Sequence, residues 1–307
     1  MMSQFSPRLL AALDEVHVAV DGQSATVQGV ELAGETRRDL LGKLSTALYD
    51  ALHSGRTKES SALRPRRDRA FETELAAVVP HPTTEISAIV HEVHGEQILV
   101  ERDGVRVWVP RATGNGNAPS PGSRVALQVN PVRAALSPGF LLVDSSKPSP
   151  HLELPHLRVY IHVTDADHAP AVWGAALSAL AATEVAYRAK VVSMPGHLPR
   201  RDGIVVYLGR GAWHAAPIVA EAVAGMPGTG PQTSVITEEL APGVATAWEP
   251  VDERAGMRGL SFGEHRSRVI ATALIEAATT GEPREQRILR DFQEARIDPR
   301  QPARNTG

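Results

Sequence analysis

Five stretches of the sequence concentrate side chains that could hold an anion and act on it. "RVYIHV" (158–163) places Arg158, Tyr160 and His162 at alternate positions, and "YRAKVV" (187–192) places Arg188 and Lys190 two residues apart. "GIVVYLG" (203–209) is apolar apart from Tyr207, and "LPRRDG" just before it supplies Arg200, Arg201 and Asp202. "SFGEHRSR" supplies His265, Arg266 and Arg268. Residues i and i+2 of a strand share a face. If the three strand-like stretches are neighbours in one sheet, one face gathers two tyrosines, a histidine, a lysine and an arginine. Such a set is rich in donors and poor in carboxylates, which suits a dianion such as a phosphate.

A lysine among other cations can titrate low enough to act as a base, and a protonated histidine can donate to a leaving oxygen. Together they could take the α-proton of phosphoserine or phosphothreonine while the bond from the β-carbon to oxygen breaks. Phosphate leaves with the bonding electrons, and a dehydroamino acid remains. Flanking arginines would neutralise the departing charge. Taken singly, each residue has a plainer reading. A strand lysine or arginine is usually an edge or solvent charge, and a strand tyrosine usually packs its ring. Their coincidence is what raises the functional reading.

Other chemistries find little support. There is no cysteine, hence no disulfide framework, thiolate nucleophile or thiolate metal site. In "HEVH" (91–94) the two histidines are three apart on an apparent strand, unlike the i, i+4 helical pair of zincins. "GNGNAPSPG" lacks the strand-then-helix setting of a phosphate-cradling loop and reads as a turn. No metal and no organic cofactor is expected.

The elements that must position these residues fall into two regions. Over 1–150, "SPRLLAAL" reads as a short helix, "VHVAV" and "ATVQGVEL" as strands, and "GETRRDLLGKLSTALYDALHSG" as a helix ending at Gly55. The basic segment "RTKESSALRPRRDR" reads as a solvated connection. From Glu85 to Asp144 alternation and turn residues predict a small antiparallel sheet, with "RDG" as a hairpin turn. "SSKPSPHLELP" (145–155) is the candidate boundary. Over 151–282 strands alternate with helices, "DADHAPAVWGAALSALAAT" and "AAPIVAEAVAGM" among them, and a loop-rich stretch precedes a last helix, "RVIATALIEAAT". The polar tail, 283–307, shows no core-forming pattern. The fold class is therefore α+β: an N-terminal helix and small antiparallel sheets, then a C-terminal mixed α/β domain.

With 307 residues, 42% hydrophobic and 22% charged, the composition is that of an ordinary globular protein. A net charge of −3 argues against a general nucleic-acid binder. The N-terminus lacks the basic region of a signal peptide, and no apolar run approaches a membrane span. A cytoplasmic location with no membrane partner is expected.

"RVYIHV", "YRAKVV", "PRRDGIVVYL" and "SFGEHRSR", in this order and spacing, resemble the HopA-type effector family. That family is known from plant-pathogen effectors and from biosynthetic clusters for ribosomally made, modified peptides. In class V lanthipeptide and thioamitide pathways its members are understood as the lyase half of a split Ser/Thr dehydratase. The pattern is more distantly similar to phosphothreonine lyases of the OspF and SpvC type. The resemblance covers roughly 155–280 well and the N-terminal half loosely. It implies Lys190 as the base, His162 as the general acid, and Tyr207, Arg201 (or Arg200) and Arg266 as phosphate ligands. Tyr160, a further candidate phosphate ligand, stands where those lyases carry a lysine. Arg188 and His265 join the candidate phosphate ligands from strand phase and sequence proximity.

The expected function is thus a phosphoserine/phosphothreonine lyase giving dehydroalanine or dehydrobutyrine in a phosphorylated precursor peptide. Its expected partners are that peptide and a separate kinase-like protein, with the N-terminal region, 1–150, expected to dock the leader peptide or the kinase. A non-catalytic effector or scaffold using the same basic pocket is the alternative. An enzyme of a small phosphorylated metabolite is a third reading.

Overall fold

The computed structural model describes residues 5–56, 67–102, 104–111, 114–115, 118–147 and 155–306. Most of the basic connection (57–66) and of the expected boundary (148–154), and parts of "RDG" and "GNGNAPSPG", lie outside the described residues. Both helices and antiparallel sheets are present, and the protein is α+β.

A seven-stranded sheet organises the C-terminal region. Its strands are β9 (Val132–Ser137), β10 (Phe140–Asp144), β11 (Leu157–Val163), β12 (Tyr187–Val192), β13 (Arg200–Leu208), β14 (Glu238–Ala241) and β15 (Val244–Trp248). The order is β14-β15-β11-β13-β12-β10-β9, and every neighbouring pair is antiparallel. The three strands expected to be neighbours are neighbours, with β13 between β11 and β12.

Strand alternation sends side chains to two helical layers. Val159, Ile161, Ala189, Val191, Ile204 and Val206 pack with α3 (Arg69–Ala77), α4 (Ala169–Ala182) and α5 (Ala215–Val223), around the buried Trp173. The other face meets α1 (Pro7–Leu13), α2 (Arg37–Leu48), α6 (Phe262–Thr280) and α7 (Arg284–Glu294). Helix α2 buries Leu40, Leu44 and Leu48 and runs on into a π-helical turn, Tyr49–Ser54, which ends at Gly55 in the left-handed conformation. Such turns are rare in helices and recur near functional sites. Gly263 of α6 lets this turn approach: a Cβ there would fall 2.3 Å from the His53 ring and 2.7 Å from that of Tyr49.

Two smaller sheets complete the chain. β1 (Val16–Val18), β2 (Ser24–Val27) and β3 (Val30–Ala33) pair in that order beside α2. β4 (Thr84–His94), β5 (Gln97–Arg102), β6 (Val105–Pro110), β7 (Gly114–Asn115) and β8 (Arg124–Val129) form the expected antiparallel sheet, ordered β6-β5-β4-β8-β7 over its own core of Val90, Ile98, Val100 and Leu127.

Four expectations need correction. The C-terminal sheet crosses the expected boundary at 150, because β10 pairs with β12 along its whole length. The stretch read as loop contains the β14–β15 hairpin, which pairs with β11. The last helix begins at Phe262, so His265 and Arg266 lie inside it. A capping box sets this start: the Ser261 side chain accepts from the Glu264 amide, and the Glu264 carboxylate accepts from the Ser261 amide. The tail is not featureless either. Helix α7 buries Ile288 and Phe292, an i, i+4 apolar pair hidden among charges.

Candidate active site

The polar face of the central sheet opens into a cleft of about 1430 Å³, floored by Lys190, Arg158 and Tyr207 and walled by Tyr49, Phe140 and the segment 249–261. Register explains the floor. Lys190 and Tyr160 flank Val205 from either side, and Arg188 and Arg158 flank Tyr207.

Lys190 is half-buried, and its ammonium stands 4.3 Å from the centroid of the Phe140 ring. Among the described residues it has no ion pair and no hydrogen bond. Arg200 approaches the same ring at 5.4 Å. Its guanidinium donates twice to the buried Asp202 carboxylate, at 2.7 Å each, and once to the Tyr49 hydroxyl at 2.9 Å, which itself donates to Asp202 at 2.7 Å. Burial pushes the Asp202 carboxyl up, but Arg200, beside and hydrogen-bonded to it, brings it well below the usual carboxylate range. Burial also pushes the Tyr49 phenol up, so it stays a donor.

His53 lies over Tyr160 at a ring separation of 4.9 Å and donates from Nδ1 to the Ser234 hydroxyl, which in turn donates to the Leu52 carbonyl. Burial lowers the His53 imidazole to about 4, so it is neutral at pH 7. Arg158 is held by a bidentate pair with Glu249 and stacks 4.9 Å from the Tyr207 ring.

The carboxylate-poor pocket expected from sequence is not what folds. Arg158, Lys190, Arg254, Arg258 and Arg296 line the cleft, and so do Glu249, Asp252, Glu253, Glu264 and Glu294. Arg254 pairs with Asp252 and Glu294, and Arg258 with Glu253. Most of the charge is therefore matched internally, which leaves Lys190 as the cation on the floor free to meet a ligand.

The other expected site residues are placed elsewhere. Arg188 is neutralised by Asp144, its register partner on β10, at 2.7 Å. His162 follows a β-bulge between Ile161 and Val163, which re-aims it. It donates from Nδ1 to the Gln232 carbonyl, and its ring packs on Gly230, where a Cβ would sit 2.4 Å away. Burial lowers its imidazole, with Arg201 adding to the effect. Arg201 donates to the Ala51 carbonyl and lies in the field of Arg8. Neither His162 nor Arg201 lines the cleft, so the expected base and acid are not brought together.

Tyr160 is buried, and its hydroxyl lies in the field of Arg158 without a hydrogen-bond partner among the described residues. His265 and Arg266 are fully buried, and Arg266 faces the C-terminal tail. Arg266 donates to the Pro302 and Arg304 carbonyls, the Asn305 side chain and Nδ1 of His265. His265 donates from Nε2 to Asp252 at 2.9 Å, and burial lowers its imidazole to about 4. Arg266 thus braces α6 against the tail and does not reach the cleft.

Sequence reasoning missed Phe140, Tyr49, His53 and Glu249. The i, i+4 spacing of Tyr49 and His53 was visible, but nothing local announced what they would face.

A sequence model described as the HopA1 effector protein family matches residues 132–304, more than half of the chain. The chain belongs to this family. The match begins at β9, where the seven-stranded sheet begins. Among solved structures, the effector protein from Pseudomonas syringae pv. tomato strain DC3000 is similar over 88% of this chain and 96% of that one, with a TM-score of 0.50 and 14% identity. The effector protein from Pseudomonas syringae pv. syringae strain 61 is similar over 87% and 92%, with a TM-score of 0.48 and 15% identity. At 14% identity the first likeness speaks for a common fold. A comparison with curated proteins finds no match. Among the described residues no helix is long and apolar enough to cross a membrane, and no group of three or more histidine and acidic side chains could hold a metal.

Proposed function

We propose that this HopA1-family protein is a lyase that binds phosphorylated serine or threonine in the Lys190 cleft and eliminates phosphate. The reading rests on one observation: a lysine without an ion pair among the described residues, on the floor of a large polar cleft, held by an aromatic ring beside a buried arginine and a phenol. Lys190 takes the α-proton, the electrons of that bond form the Cα–Cβ double bond, and the bond from Cβ to oxygen breaks. Phosphate leaves with that pair, and Arg296 at the rim and Arg158 beside Tyr207 offset its charge. The Tyr207 hydroxyl takes the donor role that the resemblance gave to His162, because His162 lies outside the cleft.

In this reading the substrate is a precursor peptide, a separate kinase-like protein phosphorylates it, and the products are dehydroalanine or dehydrobutyrine. A synthetic phosphothreonine peptide incubated with the protein should lose phosphate, seen by mass. Lys190→Ala and Lys190→Arg should both retain the phosphorylated mass, the second because it keeps charge without a base. Undiminished elimination by either variant would overturn the assignment of the base.

Two observations favour a second reading, a phosphopeptide-binding effector or scaffold without turnover. The expected acid lies outside the cleft, and the cleft arginines are largely matched by carboxylates. Saturable phosphopeptide binding by the native protein with no loss of phosphate would select it.

A further inference from the structure

A second large cavity lies away from the cleft, between the small N-terminal sheet and α2. It encloses about 1240 Å³ and is lined by Val30 and Leu32 of β3 on one side and by Arg38, Gly42, Lys43 and Ala47 of α2 on the other. Three features mark it as a place where another chain can lie.

The first is a free strand edge. Among the described residues β3 pairs only with β2, through a tight turn at Gln28 and Gly29 with φ of 47° and 79°. The register Val27↔Val30 and Thr26↔Glu31 turns the amide and carbonyl of Glu31 outward, away from β2. An unpaired edge of this kind is a template for an added strand. Lys43 closes one end of the groove by donating to the Ala33 carbonyl at 2.7 Å.

The second is the groove wall. Gly42 sits in the middle of α2, where glycine weakens a helix, and a Cβ there would meet no atom within 4 Å. No contact among the described residues requires a glycine, but a neighbouring backbone lying against the helix would. Val30 is 55% exposed and, with Leu32, gives the groove an apolar side.

The third is charge. Lys43 is matched by Asp39, which leaves Asp50 as the one further carboxylate among the described lining residues. Arg38 and Arg56 line the same groove with no ion pair among the described residues. The uncompensated charge is therefore positive.

We propose that this groove binds an extended peptide segment that pairs with β3 as a fourth strand, with apolar residues alternating over Val30 and Leu32 and acidic residues meeting Arg38 and Arg56. The site is separate from the cleft and does not depend on what the cleft does.

The test uses the full chain and a fluorescein-labelled peptide alternating valine and glutamate, followed by fluorescence polarisation and amide hydrogen exchange. Saturable binding with new protection of the Glu31 amide is expected. Gly42→Leu should weaken binding at least tenfold while leaving the melting temperature equal or higher. Arg38→Glu combined with Arg56→Glu should weaken it comparably, and Lys190→Ala should leave it unchanged. A peptide N-methylated at alternate residues should not bind. The proposal is overturned by an absence of saturable binding, or by binding that survives Gly42→Leu and N-methylation. It is equally overturned if the groove is filled by a second copy, seen as a dimer that Gly42→Leu returns to monomer.

Discussion

The Lys190 ammonium and the Phe140 ring meet at 4.3 Å, across the pair of strands that joins the sequence on either side of residue 150. β10 therefore belongs to the cleft as much as β12 does. Phe140→Leu keeps an apolar side chain but removes the ring face that holds the ammonium. A cation–π contact is worth about 0.5–1.5 kcal/mol in such a half-exposed place, so for the proposed elimination phosphate release should fall roughly two- to tenfold. Rates for native and Phe140→Leu proteins on one phosphothreonine peptide check this, and equal rates would show that the ring does not position Lys190.

Arg158 and Glu249 form a second relationship with a measurable consequence. The Arg158 side chain is only 8% exposed and Glu249 20%, so Glu249→Gln leaves a buried guanidinium without its counter-charge. Breaking such a pair costs about 3–5 kcal/mol, whereas replacing both partners by apolar residues of similar volume is often close to neutral. Urea denaturation should therefore show Glu249→Gln as much less stable than Arg158→Met combined with Glu249→Leu. If the single variant is the more stable, the pair is not what holds Arg158.

The sheet was legible because β11, β12 and β13 alternate apolar and polar residues, and alternation is local information. Its face assignment was also correct for Lys190, Tyr207 and Tyr160. What failed depended on contacts remote in sequence. Strand phase cannot see the bulge at Ile161 and Val163, nor the 228–232 loop that captures His162. Nor could it anticipate that Asp144 would meet Arg188 across β10. For Arg266 a local signal exists: S-x-x-E at Ser261 and Glu264 is a helix start, which places Arg266 on the helix and within reach of the tail. The tail itself read as polar because three-quarters of an amphipathic helix surface can be charged while Ile288 and Phe292 still hold it down.

Two glycine-to-alanine changes on helices packed together should have opposite signs. At Gly263 an added Cβ would fall 2.3 Å from the His53 ring, so α6 and the π-helical turn must separate. Overpacking of this kind costs about 1–3 kcal/mol, more than the helix preference for alanine returns. At Gly42 the added methyl meets nothing, so Gly42→Ala should stabilise by about 0.5–1 kcal/mol. Thermal unfolding of the two variants beside the native protein decides, and a stabilised Gly263→Ala would mean that the close approach is not tight.

Acid should destabilise the fold well before its carboxylates titrate. Burial lowers His53 and His265 to about 4, whereas in the unfolded chain each titrates at its ordinary value of 6.5. Between these limits the unfolded state binds more protons than the folded one, so stability falls as pH drops through 6.5 and goes on falling toward 4. From pH 7 to pH 5 the loss is about 2 kcal/mol for each histidine. Asp202 and Asp252, both held below the usual carboxylate range by their arginine partners against the push of burial, add a further loss only below their unfolded value of 3.8. Urea midpoints measured at intervals from pH 7 to pH 5 should decline. His162, whose imidazole burial also lowers, adds to the decline in the same direction. His265→Gln should make it shallower, because glutamine can donate to Asp252 and carries no titrating group. A native midpoint constant over this range would show that neither histidine is buried neutral.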